Sequence, residues 1–173
     1  ALNDHQLLVL ERDGIGLGGT AGAPIYKRVN LVELNGASNI LGSAYDLPVG
    51  APGQLNLPLN GDNFAVTPTL FAATVKDFVN IADPVQLAKF GLNASTARDT
   101  NSLSEKWEGL ALIPLNEPAA PADYLLLVGN DNDFKATNVF HNSVLVGTNA
   151  VIVDTMLLAY RVTLPGAQLD LAP

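Results

Sequence analysis

The chain has 173 residues, 48% of them hydrophobic and only 15% charged, which is a core-building composition and excludes a disordered chain. Its net charge of −8, with no Lys/Arg cluster, argues against a nucleic-acid backbone as partner and leaves calcium, cationic groups or neutral substrates compatible. With no cysteine, there is no disulfide framework, thiol nucleophile or zinc–thiolate site.

In chain order, the first apolar segment runs from Gln6 to Leu10 and reads as a strand that turns acidic at Glu11, Arg12 and Asp13. "DGIGLGG" follows, with G-x-G-x-x-G at Gly14, Gly16 and Gly19. A dinucleotide site would need a helix to start there, and "TAGAPIYKRV" with Pro24 is not one, so the stretch reads as an inter-strand loop. Tyr26 to Leu34 alternates and predicts a second strand. Residues 35 to 70 are dense in Gly, Pro and Asn without a sustained period, and read as a long ordered insertion. "ADPVQLAKFG" predicts one short helix of about seven residues, with Asp83 as N-cap, Pro84 at the first position, Gln86 at the capping-box site and Gly91 at the end. Asn93-Ala94-Ser95 is a glycosylation sequon. Further strands are expected over Trp107 to Ile113, Tyr124 to Val128 and Met156 to Leu164. The apolar runs are too short for a transmembrane helix, and the first residues lack a signal-peptide pattern.

Polar residues concentrate where strands end. "LLLVGNDNDF" stops at Asn130, Asp131, Asn132 and Asp133, while "KWEGLALIP" opens with Glu108. If residues 107–114 and 123–129 form an antiparallel hairpin, the start of one lies beside the end of the other, and Glu108 shares a rim with Asn130 to Asp133. Asp131 and Asp133 share a face if the backbone stays extended. An EF-hand is excluded, because Ala136 stands where glycine is required and no Glu closes the loop. Oxygen ligands from separate strands remain able to hold a hard cation. The bland reading is that these are turn residues satisfying loop amides. His5 and His141 are the histidines, His141 in the loop-like "NVFHNS", and no G-x-S-x-G elbow supports a serine triad. Trp107 reads as packing.

"QLLVLERDG" and "YLLLVGNDN" both run apolar and then acidic, followed by "YKRVNLVEL" and "MLLAYRVTL", a weak repeat of the kind propeller blades carry. In that order, with "EKWEGLALIP" and "DNDF", these segments resemble the phytase-like family, also described as esterase-like activity of phytase. The resemblance implies an all-β chain forming part of a β-propeller, with antiparallel blade-like sheets over 5–34 and 107–164 in one 1–173 unit. It also implies an extracellular or periplasmic protein, and N-terminal blades upstream of this sequence. By position, Glu108 matches the family's Glu-Gly-Leu acid, Asp131 and Asp133 its paired acids, and Glu11 to Asp13 its Glu-Arg-Asp-Gly turn.

The expected function is a metal-assisted hydrolase of a small ester or phosphoester. Glu108, Asp131 and Asp133 would ligate metal or activate water, and Arg12 would steady an anionic oxygen. Glu108, Asn130, Asp131, Asp133, Glu11 and Asp13 are the expected ligands for calcium or another divalent cation. The alternatives are a calcium-dependent lactonase-like propeller, or a non-catalytic propeller that binds a protein or carbohydrate. The expected partner is the missing N-terminal part of the same protein as a separate chain, or a homo-oligomer.

Overall fold

The structure, a computed structural model, describes residues 1–24, 26–55, 70–149 and 151–164. Residues 56–69 of the expected insertion and Pro165 lie outside the described residues. Strands β1 (Gln6–Arg12), β2 (Lys27–Glu33) and β3 (Thr74–Asn80) form one antiparallel sheet in that order. Helix α1 (Pro84–Lys89) follows. Strands β4 (Trp107–Pro114), β5 (Asp123–Asn130) and β8 (Leu157–Thr163) form a second antiparallel sheet, with the hairpin β6 (Asn138–His141) and β7 (Val144–Thr148) inserted between β5 and β8. The described residues are all-β apart from one short helix.

The larger of two hydrophobic clusters lies between the two three-stranded sheets. Val29 from β2 and Leu126, Val128, Leu158 and Tyr160 from β5 and β8 are buried together with Trp107, Ile81, Leu87 and Leu103. Leu8 and Leu10 of β1 pack on the same cluster. Each fully buried aliphatic side chain there contributes about 1.5–3 kcal/mol relative to exposure.

Helix α1 forms as its sequence dictates. The Asp83 carboxylate accepts from the amides of Val85 (2.8 Å) and Gln86 (3.4 Å), and Pro84 occupies the first turn. Gly91, at φ +71°, lets the amides of Gly91 and Leu92 return to the carbonyls of Ala88 and Leu87. The Gln86 half of the capping box is not made, because the Asp83 amide donates to Asn80 instead. The helix is six residues long, one turn and a half, and Leu87 pins it into the core.

Three strands were not expected from the sequence. β3 carries Lys76 and Asp77 in its middle, which hides its period, and its register shifts beside Val29 and Asn30. β6 and β7 join through Asn142 and Ser143, both at positive φ, as a tight hairpin turn requires. His141 therefore ends a strand, and is not in a loop.

The second sheet is largely apolar on its outward face as well. Cross-strand partners share a face, so Ala111, Ile113, Leu125, Leu127, Ala159 and Leu157 lie on the side of the second sheet away from the core. Ile113 and Leu157 are 45% and 64% exposed. On the first sheet, Leu7, Val9, Val32 and Val75 share the corresponding face with Glu11, Arg28, Asn30 and Asp77.

Candidate functional site

The expected hairpin forms, with Trp107 paired to Asn130 and Pro114 to Tyr124. Its start and end therefore meet, and the Asp131 amide donates to the Lys106 carbonyl at 2.9 Å. The register slips between Trp107 and Gly109, so Glu108 occupies a bulge. A bulge re-aims its side chain. Trp107 turns into the core, where its indole N–H donates to the Ser104 carbonyl (3.1 Å), and Glu108 turns outward to Arg12. The Arg12 Nη2 to Glu108 Oε1 distance is 2.6 Å, and Nη1 lies 3.5 Å from Glu105 Oε1. Arg12 on β1 thus ties the first sheet to the first strand of the second.

Beside it, Lys27 is buried completely, and its ammonium donates to Asp13 Oδ1 (3.0 Å), the Asp13 carbonyl (3.2 Å) and the Glu105 carbonyl (2.8 Å). Burial pushes the Lys27 pKa down, opposed by the Asp13 carboxylate. With three acceptors for three N–H donors, the ammonium is satisfied inside the protein. The Asp13 carboxylate also accepts from the amides of Ile15 and Tyr26, which fixes the loop that follows β1.

That loop is the glycine-rich stretch. No helix starts there. Gly16 lies against the backbone of Ser104 and Glu105, where an added Cβ would stand 2.6 Å from their atoms. At Gly19 a Cβ would stand 2.5 Å from the Glu105 side chain. The glycines permit close approach of the loop to 104–105, and no nucleotide role is needed to account for them.

The acidic turn after β5 departs from the expected extended form. Asp133 and Phe134 are left-handed, at φ +52° and +54°, so Asp131 and Asp133 do not share a strand face. Asp131 Oδ1 accepts from the Asp133 amide (2.8 Å), and Asn132 Oδ1 accepts from the Phe134 amide (3.1 Å). Short polar side chains compete for the backbone in this way and hold successive turns. Asn130 also serves the backbone: Oδ1 accepts from the Met156 amide (2.6 Å), and Nδ2 donates to the Asp154 carbonyl (3.0 Å). The turn aims Asp133 at Lys106 (2.6 Å) and Lys135 (3.5 Å). The Lys106 hydrogen bond holds the Asp133 carboxyl below the usual carboxylate range, and Asp133 raises Lys106 in return.

Glu11 stands apart. It alternates with Arg12 on β1, and its carboxylate accepts from the Tyr26 hydroxyl (3.0 Å) and the Asn30 amide (2.6 Å). The acidic turn of the first repeat is therefore divided, with Arg12 and Asp13 at the rim and Glu11 on the outward face.

Glu108 and the Asn130–Asp133 turn share one end of the hairpin, with Arg12 and Asp13 alongside. Among the described residues, no group of three or more His, Cys, Asp or Glu is arranged to hold a metal ion. The expected ligands Glu108, Asp133, Asp13 and Glu11 are each engaged by Arg, Lys or amide donors, while Asp131 and Asn130 hold backbone amides. As arranged, this donor set does not fit a divalent cation. It fits ion-paired carboxylates alternating with cations, a pattern able to orient water at Glu108 and to hold an anionic oxygen at Arg12 or Lys106.

Sequence reasoning did not single out Glu105, Lys106, Lys27 or Lys135, although Glu105 and Lys106 stand in the quoted "EKWEGLALIP". Their roles arise from contacts between distant segments. Comparison with protein-family models, with curated proteins and with solved structures finds no match.

Proposed function

We propose that this chain is part of a phytase-like β-propeller, acting outside the cytoplasm, whose rim hydrolyses an ester or phosphoester. The observation that carries the reading is the meeting of Arg12, Glu105, Glu108, Lys106 and Asp133 at one end of the paired strands β4 and β5. Glu108 takes a proton from water as the water oxygen bonds to the carbonyl carbon or phosphorus. The ester bond to the leaving oxygen breaks, and that oxygen receives the proton from Glu108. Arg12 and Lys106 hold the negative oxygen that develops. Calcium or another divalent cation would have to displace Arg12 from Glu108 or Lys106 from Asp133, so no step is drawn through it.

The propeller part of the reading draws support from topology. The repeat units pair alike, β1 with β2 and β5 with β8. The first sheet adds β3 beyond β2, and the second adds β4 before β5. Superimposed by repeat, the two sheets outline a four-stranded unit of the size of a propeller blade. Further sheets of the same protein, or a second copy, are the proposed cover for the outward faces.

The test is hydrolysis of chromogenic carboxylic and phosphate esters, with and without added calcium, by wild type and Glu108→Gln. Loss of a general base is expected to lower the rate by about 10²-fold or more. Absence of turnover by wild type for both ester classes, under both conditions, overturns the reading. A second reading, a non-catalytic binder of a protein or carbohydrate, is favoured by the hairpin β6–β7, which exposes Phe140, Val144, Leu145 and Val146.

A further inference from the structure

A groove of about 580 Å³ opens between the glycine-rich loop and the segment after β5, lined by Leu17, Gly18, Arg98, Lys135 and Val151. The volume lies in the range of small-molecule sites. Among the described residues no carboxylate lines it, although the chain carries a net charge of −8. Both cations are seated on the loop: Arg98 Nη1 donates to the Gly19 carbonyl (3.0 Å), and Lys135 Nζ donates to the Gly18 carbonyl (2.7 Å). Gly18, at φ +91°, brings the loop so close that an added Cβ would meet Val153 at 2.8 Å and Lys135 Nζ at 3.3 Å.

The two cations differ in what answers their charge. Lys135 lies 3.5 Å from Asp133 Oδ2. Arg98 makes no ion pair among the described residues, and its Nε and Nη2 are buried without a hydrogen-bond partner. Those two nitrogens form one edge of the guanidinium, the fork that matches a carboxylate or phosphate with two parallel hydrogen bonds. A buried donor left without an acceptor is costly, so an acceptor that reaches this fork is favoured by completing it.

The geometry points to a binding site for an organic anion: a phosphate or carboxylate held by Arg98 and Lys135, with an apolar body against Leu17 and Val151. Arg98 already lines the groove, and in this proposal its side chain turns to present the buried fork to the anion. Leu17 and Lys135 also border the tight crevice of Glu105, Lys106, Asp131 and Asp133, so the groove lies beside the rim. The inference thereby extends the rim reading by naming the group its substrate carries, and as a binding site it stands without that reading.

Calorimetric titration with phenylphosphonate, benzoate and inorganic phosphate tests it, because none of these is turned over by an ester hydrolase. Phenylphosphonate or benzoate is expected to bind wild type more tightly than inorganic phosphate, and the tighter of the two identifies the anion. Arg98→Gln is expected to weaken that binding about ten-fold or more. Amide resonances of Gly18, Gly19 and Val151 in the wild-type protein should move with the same titration, which keeps the test valid if the variant folds poorly. Binding without any ester turnover would sink the hydrolase reading and leave the groove standing. No binding of either organic anion, or unchanged affinity in a folded Arg98→Gln protein, overturns the site.

Discussion

Asp133 is gripped by Lys106 and Lys135 on a turn whose backbone is left-handed at two successive non-glycine residues. Residues there are strained, and they persist only where their surroundings over-determine them. The side chains of Asp131 and Asn132, each bonded to an amide two residues on, supply part of that restraint. The ion pairs of ionised Asp133 supply a further part, which makes the turn sensitive to acid. Its folded carboxyl titrates below the ordinary range, so its contribution to stability is present above the unfolded pKa and is lost as pH falls through the folded value. Lys106, shifted up, keeps its charge throughout that window. Asp99, Asp123 and Glu33 are also lowered, so the wild-type acid limb is a sum. The quantity to read is the difference between wild type and Asp133→Asn in thermal melts from neutral to acid pH. The variant is expected to melt lower at neutral pH, and the gap is expected to close below the carboxylate range. A gap that stays constant across that range would mean the ion pairs do not stabilise the turn.

At the level of elements, the hairpin β6–β7 is the least supported part of the second half of the chain. Its strands pack mainly on each other, and an isolated two-stranded hairpin is marginal in water. Ser143 adds to the difficulty, because at φ +64° a Cβ is disfavoured where glycine is not. Ser143→Gly is expected to stabilise the hairpin by about 0.5–1 kcal/mol, slowing hydrogen exchange over 138–148 several-fold while the main transition stays put. Faster exchange there would show that the turn is not the limiting strain. The same residue explains why the hairpin escaped the sequence: Asn-Gly announces such a turn and Asn-Ser does not. β3 escaped because Lys76 and Asp77 break its pattern. By contrast β1, β2, β4, β5, β8 and α1 were legible, since their apolar runs and caps act locally. The site divides in the same way. The common end of β4 and β5 followed from hairpin geometry, whereas Arg12 meeting Glu108, or Lys27 meeting the Glu105 carbonyl, depends on two sheets closing over one core. The left-handed form of Asp133 was hidden for another reason: its turn is held by side-chain bonds that a strand pattern does not encode.

For the whole molecule, the deciding feature is that the second sheet is apolar on both faces. An antiparallel sheet that borders water on one side ordinarily alternates, with polar residues outward. Here β5 reads Tyr-Leu-Leu-Leu-Val, and its outward Leu125 and Leu127 lie beside Ile113, Ala111 and Ala159. The first sheet does so only in part, since Leu7, Val9, Val32 and Val75 share its outward face with Glu11, Arg28, Asn30 and Asp77. Such faces suit sheets stacked in series, each covered by the next, and they suit a lone pair of sheets poorly. Arg161, which pairs with Glu117 (2.6 Å) and Asp123 (2.7 Å), places charge at only one end of the second face. The 173-residue chain alone is therefore expected to associate through these faces, giving a scattering mass above 18.1 kDa and binding a hydrophobic dye. Ile113→Lys combined with Leu157→Lys should shift the population toward one chain, because each places a charge where a covering sheet would have to desolvate it. Both side chains are largely exposed in the single chain, so the double variant should keep its main melting transition. A wild-type protein that elutes as one 18.1 kDa species and binds no dye would mean that the outward faces are tolerated in water, and the stacked-sheet argument would fall with them.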